Sequence, residues 1–94
     1  MSTLGAQGTH KLIEATGTGA GTSFVAKWVK DKTFQVSGTF VGTIKIQVSN
    51  DNANWIDLVE TTGTGGFENS APWHYVRANC TAYTSGTIVV TIGT

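Results

Sequence analysis

The chain has one cysteine, one proline and few charges among its 94 residues. A single cysteine, Cys80, leaves no intramolecular disulfide to offset the thin core of so small a domain. Six Lys and Arg balance six Asp and Glu, for zero formal net charge. No field therefore steers the protein toward nucleic acid or a membrane surface, and neither is expected as a partner. No apolar run approaches the ~20 residues of a membrane helix. Met1–Ala6 has neither the basic start nor the apolar stretch of a secretory signal. The expected setting is a reducing cytosol, or a larger particle assembled there. Charged residues at 13% and hydrophobic residues at 39% are also too apolar a mixture for a disordered chain. What is abundant is Gly and Thr: 12 and 16 residues, or 28 of the 94. Thr favours strands and Gly favours turns, so the composition points to an all-β fold of one domain.

Residues 1–22 interleave Gly5, Gly8, Gly17, Gly19 and Gly21 with Thr3, Thr9, Thr16, Thr18 and Thr22. This bias predicts an extended N-terminal arm, with Lys11–Ala15 as a short strand inside it. Residues 23–94 read as a single β-sandwich domain with a period close to two. Phe34, Val36 and Phe40 share one face, and Val41-Gly42 is expected to turn the chain tightly into the next strand. There Ile44, Ile46 and Val48 alternate with Lys45, Gln47 and Ser49. Ser49–Asn54 is a turn of residues that bond their own backbone. Trp55–Glu60 follows, with Ile56 and Leu58 inward and Asp57 outward. Thr61–Gly66 reads as a loop. Trp73–Thr81 places His74, Val76, Ala78 and Cys80 inward, opposite Tyr75, Arg77 and Asn79. Thr87–Ile92 turns Ile88, Val90 and Ile92 inward, and Ser23–Val29 is a further strand of ambiguous facing. About seven short strands with turns between them fit a small antiparallel sandwich.

The residues that could carry catalysis are sparse. Cys80 shares its parity with Val76 and Ala78, which predicts a buried small hydrophobe rather than a nucleophile. His10 and His74 have no metal-ligand spacing, and no cysteine pair accompanies them. Asp57 and Glu60 fall on opposite faces of a regular strand, so they form no glycosidase pair. Asp51 begins no calcium loop, because Ala53, Ile56 and Thr62 stand where ligands and the tight-turn glycine belong. Gly17–Thr22 resembles a phosphate loop in composition only, with no following Lys and no helix. These readings predict no catalytic residue, no metal and no cofactor. The aromatics are more suggestive. Trp55 opposes Ile56 and Leu58, and Trp73 shares a face with Tyr75 and Arg77. Outward rings beside the only arginine imply either a covering partner or caps over the ends of the sandwich.

Phe40–Trp55 runs FVGTIKIQVSNDNANW. It resembles the F-x-G-T-hydrophobic-x-hydrophobic-x-x-S-x-D-G-x-x-W pattern of small tailed-bacteriophage virion proteins. Tyr75–Ile88, YVRANCTAYTSGTI, is similar to the YVRANVTAYTSGTV ending of that class. The two stretches cover about a third of the chain. Asn52 stands where Gly is usual and Cys80 where Val is usual. The resemblance implies a non-enzymatic β-sandwich protein of the virion, most simply a capsid decoration (cement) protein or another head or tail accessory subunit. Its partners would be the major capsid protein or other virion subunits, in a homo-oligomeric and preferably trimeric assembly. Trp55, Trp73, Tyr75 and Arg77 are the expected interface residues, with Leu12 and Ile13 of the arm added as a strand on a neighbour. The S-x-D-x-x-x-W element also occurs in discoidin-like carbohydrate modules. This keeps open a glycan- or host-surface-binding role on a phage tail or fibre.

Overall fold

A computed structural model describes residues 9–27 and 31–94. Nine strands form among them: β1 (Thr9–Ala15), β2 (Gly19–Ala20), β3 (Phe24–Val25), β4 (Lys32–Ser37), β5 (Phe40–Ser49), β6 (Ile56–Thr61), β7 (Gly65–Asn69), β8 (Tyr75–Gly86) and β9 (Ile88–Gly93). They make two antiparallel sheets, ordered β1-β9-β4-β7 and β2-β8-β5-β6, with β3 also pairing β8. A shortest extent of 17 Å is what two sheets packed about 10 Å apart require. The fold is the all-β sandwich that the composition and periodicity imply.

The alternating strands supply the core as expected. Phe34, Val36, Ile44, Ile46, Val48, Val76, Ala78, Cys80, Ile88, Val90 and Ile92 are all buried between the sheets. Two stretches hold more strand than expected. Residues 9–22 hold β1 and β2 rather than a free arm: β1 pairs β9, and Leu12 and Ala15 are buried in the core. A register shift at Leu12 lets residues three apart both reach the interior. Residues 1–8 of the expected arm, and Trp28 and Val29 of the expected 23–29 strand, lie outside the described residues. The TTGTGG loop ends at Thr64, since Gly65–Asn69 pairs with β4 as β7. β8 continues to Gly86, five residues past its expected end at Thr81.

The largest difference is the connection from β4 to β5. A hairpin at Val41-Gly42 is absent. The chain instead crosses from one sheet to the other at Gly38-Thr39, and Gly42 lies inside β5 at an irregularity in its pairing with β8. The chain crosses again at Gly86-Thr87, where β8 passes to β9. The two crossings pack against each other. Thr87 N–H donates to the Thr39 carbonyl at 3.2 Å. Gly38 and Gly86 adopt positive φ of 106° and 93°. A Cβ on Gly38 would strike the Thr87 carbonyl, and one on Gly86 would strike the Thr39 carbonyl and the Phe40 backbone. Only glycine satisfies both conditions. Replacing Gly86 by Ala is therefore expected to destabilise the domain by about 2 kcal/mol or more, read as a lower midpoint in denaturant unfolding. Gly63→Ala, with open space around its Cβ, should leave the midpoint nearly unchanged.

Candidate functional site

The outer face of the β2-β8-β5-β6 sheet carries a connected group of polar and aromatic side chains. Strand alternation puts Lys45 and Gln47 of β5 on the face opposite Ile44, Ile46 and Val48, and puts Tyr75, Arg77 and Asn79 of β8 beside them. Gln47 is the centre of the group and is buried, 8% exposed. Its amide oxygen accepts from Arg77 Nε at 2.8 Å and Asn79 Nδ2 at 3.4 Å. Its amide nitrogen donates to Asp57 Oδ1 at 2.8 Å, and Asp57 Oδ2 accepts from Lys45 Nζ at 3.0 Å. The Arg77 guanidinium lies 4.3 Å from the Trp55 ring centroid. Beyond it Lys27 Nζ sits 5.6 Å from the Tyr75 ring centroid. Each cation faces the electron-rich face of its ring, a favourable arrangement. Two cation–π contacts and one amide hub thus order a face that carries both signs of charge.

The electrostatics follow from these bonds. The Gln47 amide, and then Lys45, hold the Asp57 carboxyl below its ordinary range. Asp57 in return raises Lys45. The Ser49–Asn54 turn closes one end of the face. Asp51 accepts from the Ala53 and Asn54 backbone N–H groups, the Asn54 side chain and the Ser49 hydroxyl. Those bonds, led by the Asn54 backbone, push its carboxyl far below the usual range. Asn52 has φ of 61°, the left-handed conformation that explains why glycine suits this position.

The expected interface residues separate in space. Trp55 and Arg77 stack on the outer face and Tyr75 lies two residues along β8 on the same face, each half-buried. Trp73 does not join them: it is half-buried and packed against the core. Leu12 is a core residue at 4% exposure, and Ile13 packs beside it. Ile56, expected inward, pairs with the buried Val48 and so faces that side, but at the start of β6 it is 56% exposed. His74, also expected inward, is exposed ahead of β8. A bulge at Leu58 places Asp57 opposite Gln47 and Glu60 opposite Lys45, so both acids occupy the outer face after all. Gln47, Lys45 and Asn79 join the site without any motif that marks them, and Asp57 joins it through the bulge. Their parity was legible, but only the pairing of β5 with both β6 and β8 brings them together. Among the described residues no three His, Cys, Asp or Glu side chains gather to hold a metal ion. The Cys80 thiol is buried, donates to the Ala82 carbonyl and is raised above its ordinary value by burial.

A comparison with protein-family models finds no match, and no curated protein matches the chain. Among solved structures, the crystal structure of the SPBc2 prophage-derived protein YomS is similar, with a TM-score of 0.77. The likeness covers 99% of this chain and 96% of that one, at 18% sequence identity. At that identity it speaks to the shared fold.

Two measurements check the site. Gln47→Leu leaves the Arg77 and Asp57 bonds unmade, so it should cost about 1–3 kcal/mol by denaturant unfolding. The Asp51 carboxyl has a lower pKa folded than the ordinary value near 4 of an unfolded chain. Its contribution is therefore complete above that value and is lost as pH falls toward the folded one. The difference in melting temperature between the wild type and Asp51→Asn should be constant near neutrality and close below about pH 4.

Proposed function

We propose that the chain is a non-enzymatic structural protein of a tailed-phage particle, docking on other virion subunits through the outer face of Trp55, Arg77 and Tyr75. The observation that carries this reading is the Arg77–Trp55 stack fixed by the Gln47 hub. Arg, Trp and Tyr are the residues that dominate protein interfaces, most effectively when held in place before binding. The shared fold with a prophage-derived protein and the two sequence stretches that resemble phage virion proteins support the same reading. Capsid decoration, with the major capsid protein as partner and a trimer as the assembly, is the form of it we favour.

The same rings suit a sugar-binding face on a tail or fibre, which is the second reading. The bonding pattern favours protein over sugar. Gln47 already uses its amide oxygen and nitrogen within the face, and Asp57 is engaged by Gln47 and Lys45. One side of each ring is taken up by a cation. A glycan site instead leaves polar atoms and an open ring face for its ligand.

Mass spectrometry of purified particles that carry the chain tests the proposal. The wild type should be present at a fixed ratio to the capsid subunit, and Trp55→Ala with Arg77→Ala should fall from the particle by about tenfold or more. Absence of the wild type from particles, or undiminished incorporation of the double variant, contradicts it. Glycan-array binding lost in the Trp55→Ala variant, without particle association, would install the second reading.

A further inference from the structure

The sandwich has four lateral edges, and three are protected against pairing with another strand. β1 is bulged at Leu12 and carries Lys11. β6 is bulged at Leu58 and carries Asp57 and Glu60. The β8 side is lined by β2 and β3, which have only two residues each. Bulges, charges and shortness are the usual means of blunting an edge. β7 has none but a single acid. Its five residues pair with β4 in unbroken register, with no Lys and no Pro. Among the described residues no strand pairs with its outer side.

Two glycines in β7 point the same way. Gly65 and Gly66 have no positive φ, so the backbone does not require glycine at either. A Cβ on Gly66 would meet only the Phe34 carbonyl, at 3.9 Å. Packing within one chain therefore gives no reason for glycine at 66. The missing side chain at Gly66 leaves a shallow groove on the sheet face, lined by Thr33, Gln35, Ser37, Gly66 and Glu68.

We propose that the free edge of β7 pairs with β7 of a second copy of this chain, antiparallel about a two-fold axis through Phe67. This reading rests on the edge alone and is independent of the outer-face proposal. The charge pattern selects the occupant. Centred on Phe67, the pairing sets Glu68 of each copy opposite Gly66 of the other, with no like charges facing. Self-pairing of β6 would instead set Asp57 against Glu60. In the β7 pair the second copy's Glu68 fills the space above Gly66, next to Gln35, which is the β4 residue opposite Gly66. The half-buried Phe67 rings, each beside Phe34, meet across the axis and continue the core. The two four-stranded sheets become one of eight strands.

Sedimentation of the full chain over a wide concentration range tests this. Away from the shell on which the trimer would form, the wild type should show a reversible monomer–dimer equilibrium. Gly66→Glu, whose new side chain enters open space in the monomer, faces the second copy's Glu68 twice. It should raise the dimer dissociation constant about tenfold or more with an unchanged far-ultraviolet spectrum. Gly66→Glu combined with Glu68→Lys sets opposite charges against each other and should restore the dimer. A wild type that stays monomeric, as it would if the edge served a different protein, overturns the proposal. So does a Gly66→Glu variant that dimerises as the wild type does.

Discussion

The two sheets enclose the core, and one contact ties two of the crossings between them. Two of the crossings meet: from β4 to β5 at Gly38-Thr39 and from β8 to β9 at Gly86-Thr87. The hydrogen bond from Thr87 to the Thr39 carbonyl ties the crossings together. Each crossing fits only because the other presents a backbone without a Cβ in the way. This contact sets where β5 and β8, the most extensive strand pair, begin relative to β4 and β9. In a chain with no disulfide, it takes the place a covalent link has in many small sandwiches.

The outer face inherits its order from that pair. Gln47 and Arg77 are direct neighbours in the β5–β8 register, and Lys45 and Asn79 are the next pair on the same face. The Leu58 bulge then turns Asp57 and Glu60 toward β5. Most of the site is built without a loop, because Lys45, Gln47, Asp57, Tyr75, Arg77 and Asn79 project from adjoining strands, while Trp55 and Lys27 lie just outside them. A face fixed this way loses little side-chain freedom on binding, which suits docking to another surface. The proposed docking rests on this arginine and these aromatic rings, framed by charges of both signs.

Much of this was legible in the residues. Strict alternation located the buried faces of β4, β5, β8 and β9, and the Asp51 turn followed from its side-chain chemistry. The pairing partners were not legible. Phe34, Val36 and Phe40 continue one alternation across Gly38, so the crossing looks like an unbroken strand leading to a hairpin at Gly42. β7 reads as a loop because Gly65 and Gly66 have low strand propensity, and only its pairing with β4 makes it a strand. Leu12 and Ala15 were hidden by the Gly and Thr around them and by a spacing of three that only a bulge reconciles with a strand. The same limit affected the site. Parity placed Arg77 and Tyr75 on one face, but Trp73 precedes β8, so its expected parity does not apply.

The most direct test of this account is amide hydrogen exchange at Thr87. If the crossings lock the sheets, the Thr87 amide exchanges only when the whole domain unfolds. Its opening free energy should then equal that of the central amides of β5 and β8, and fall with theirs in denaturant. Exchange of Thr87 through a local opening, while those amides remain protected, would contradict the account.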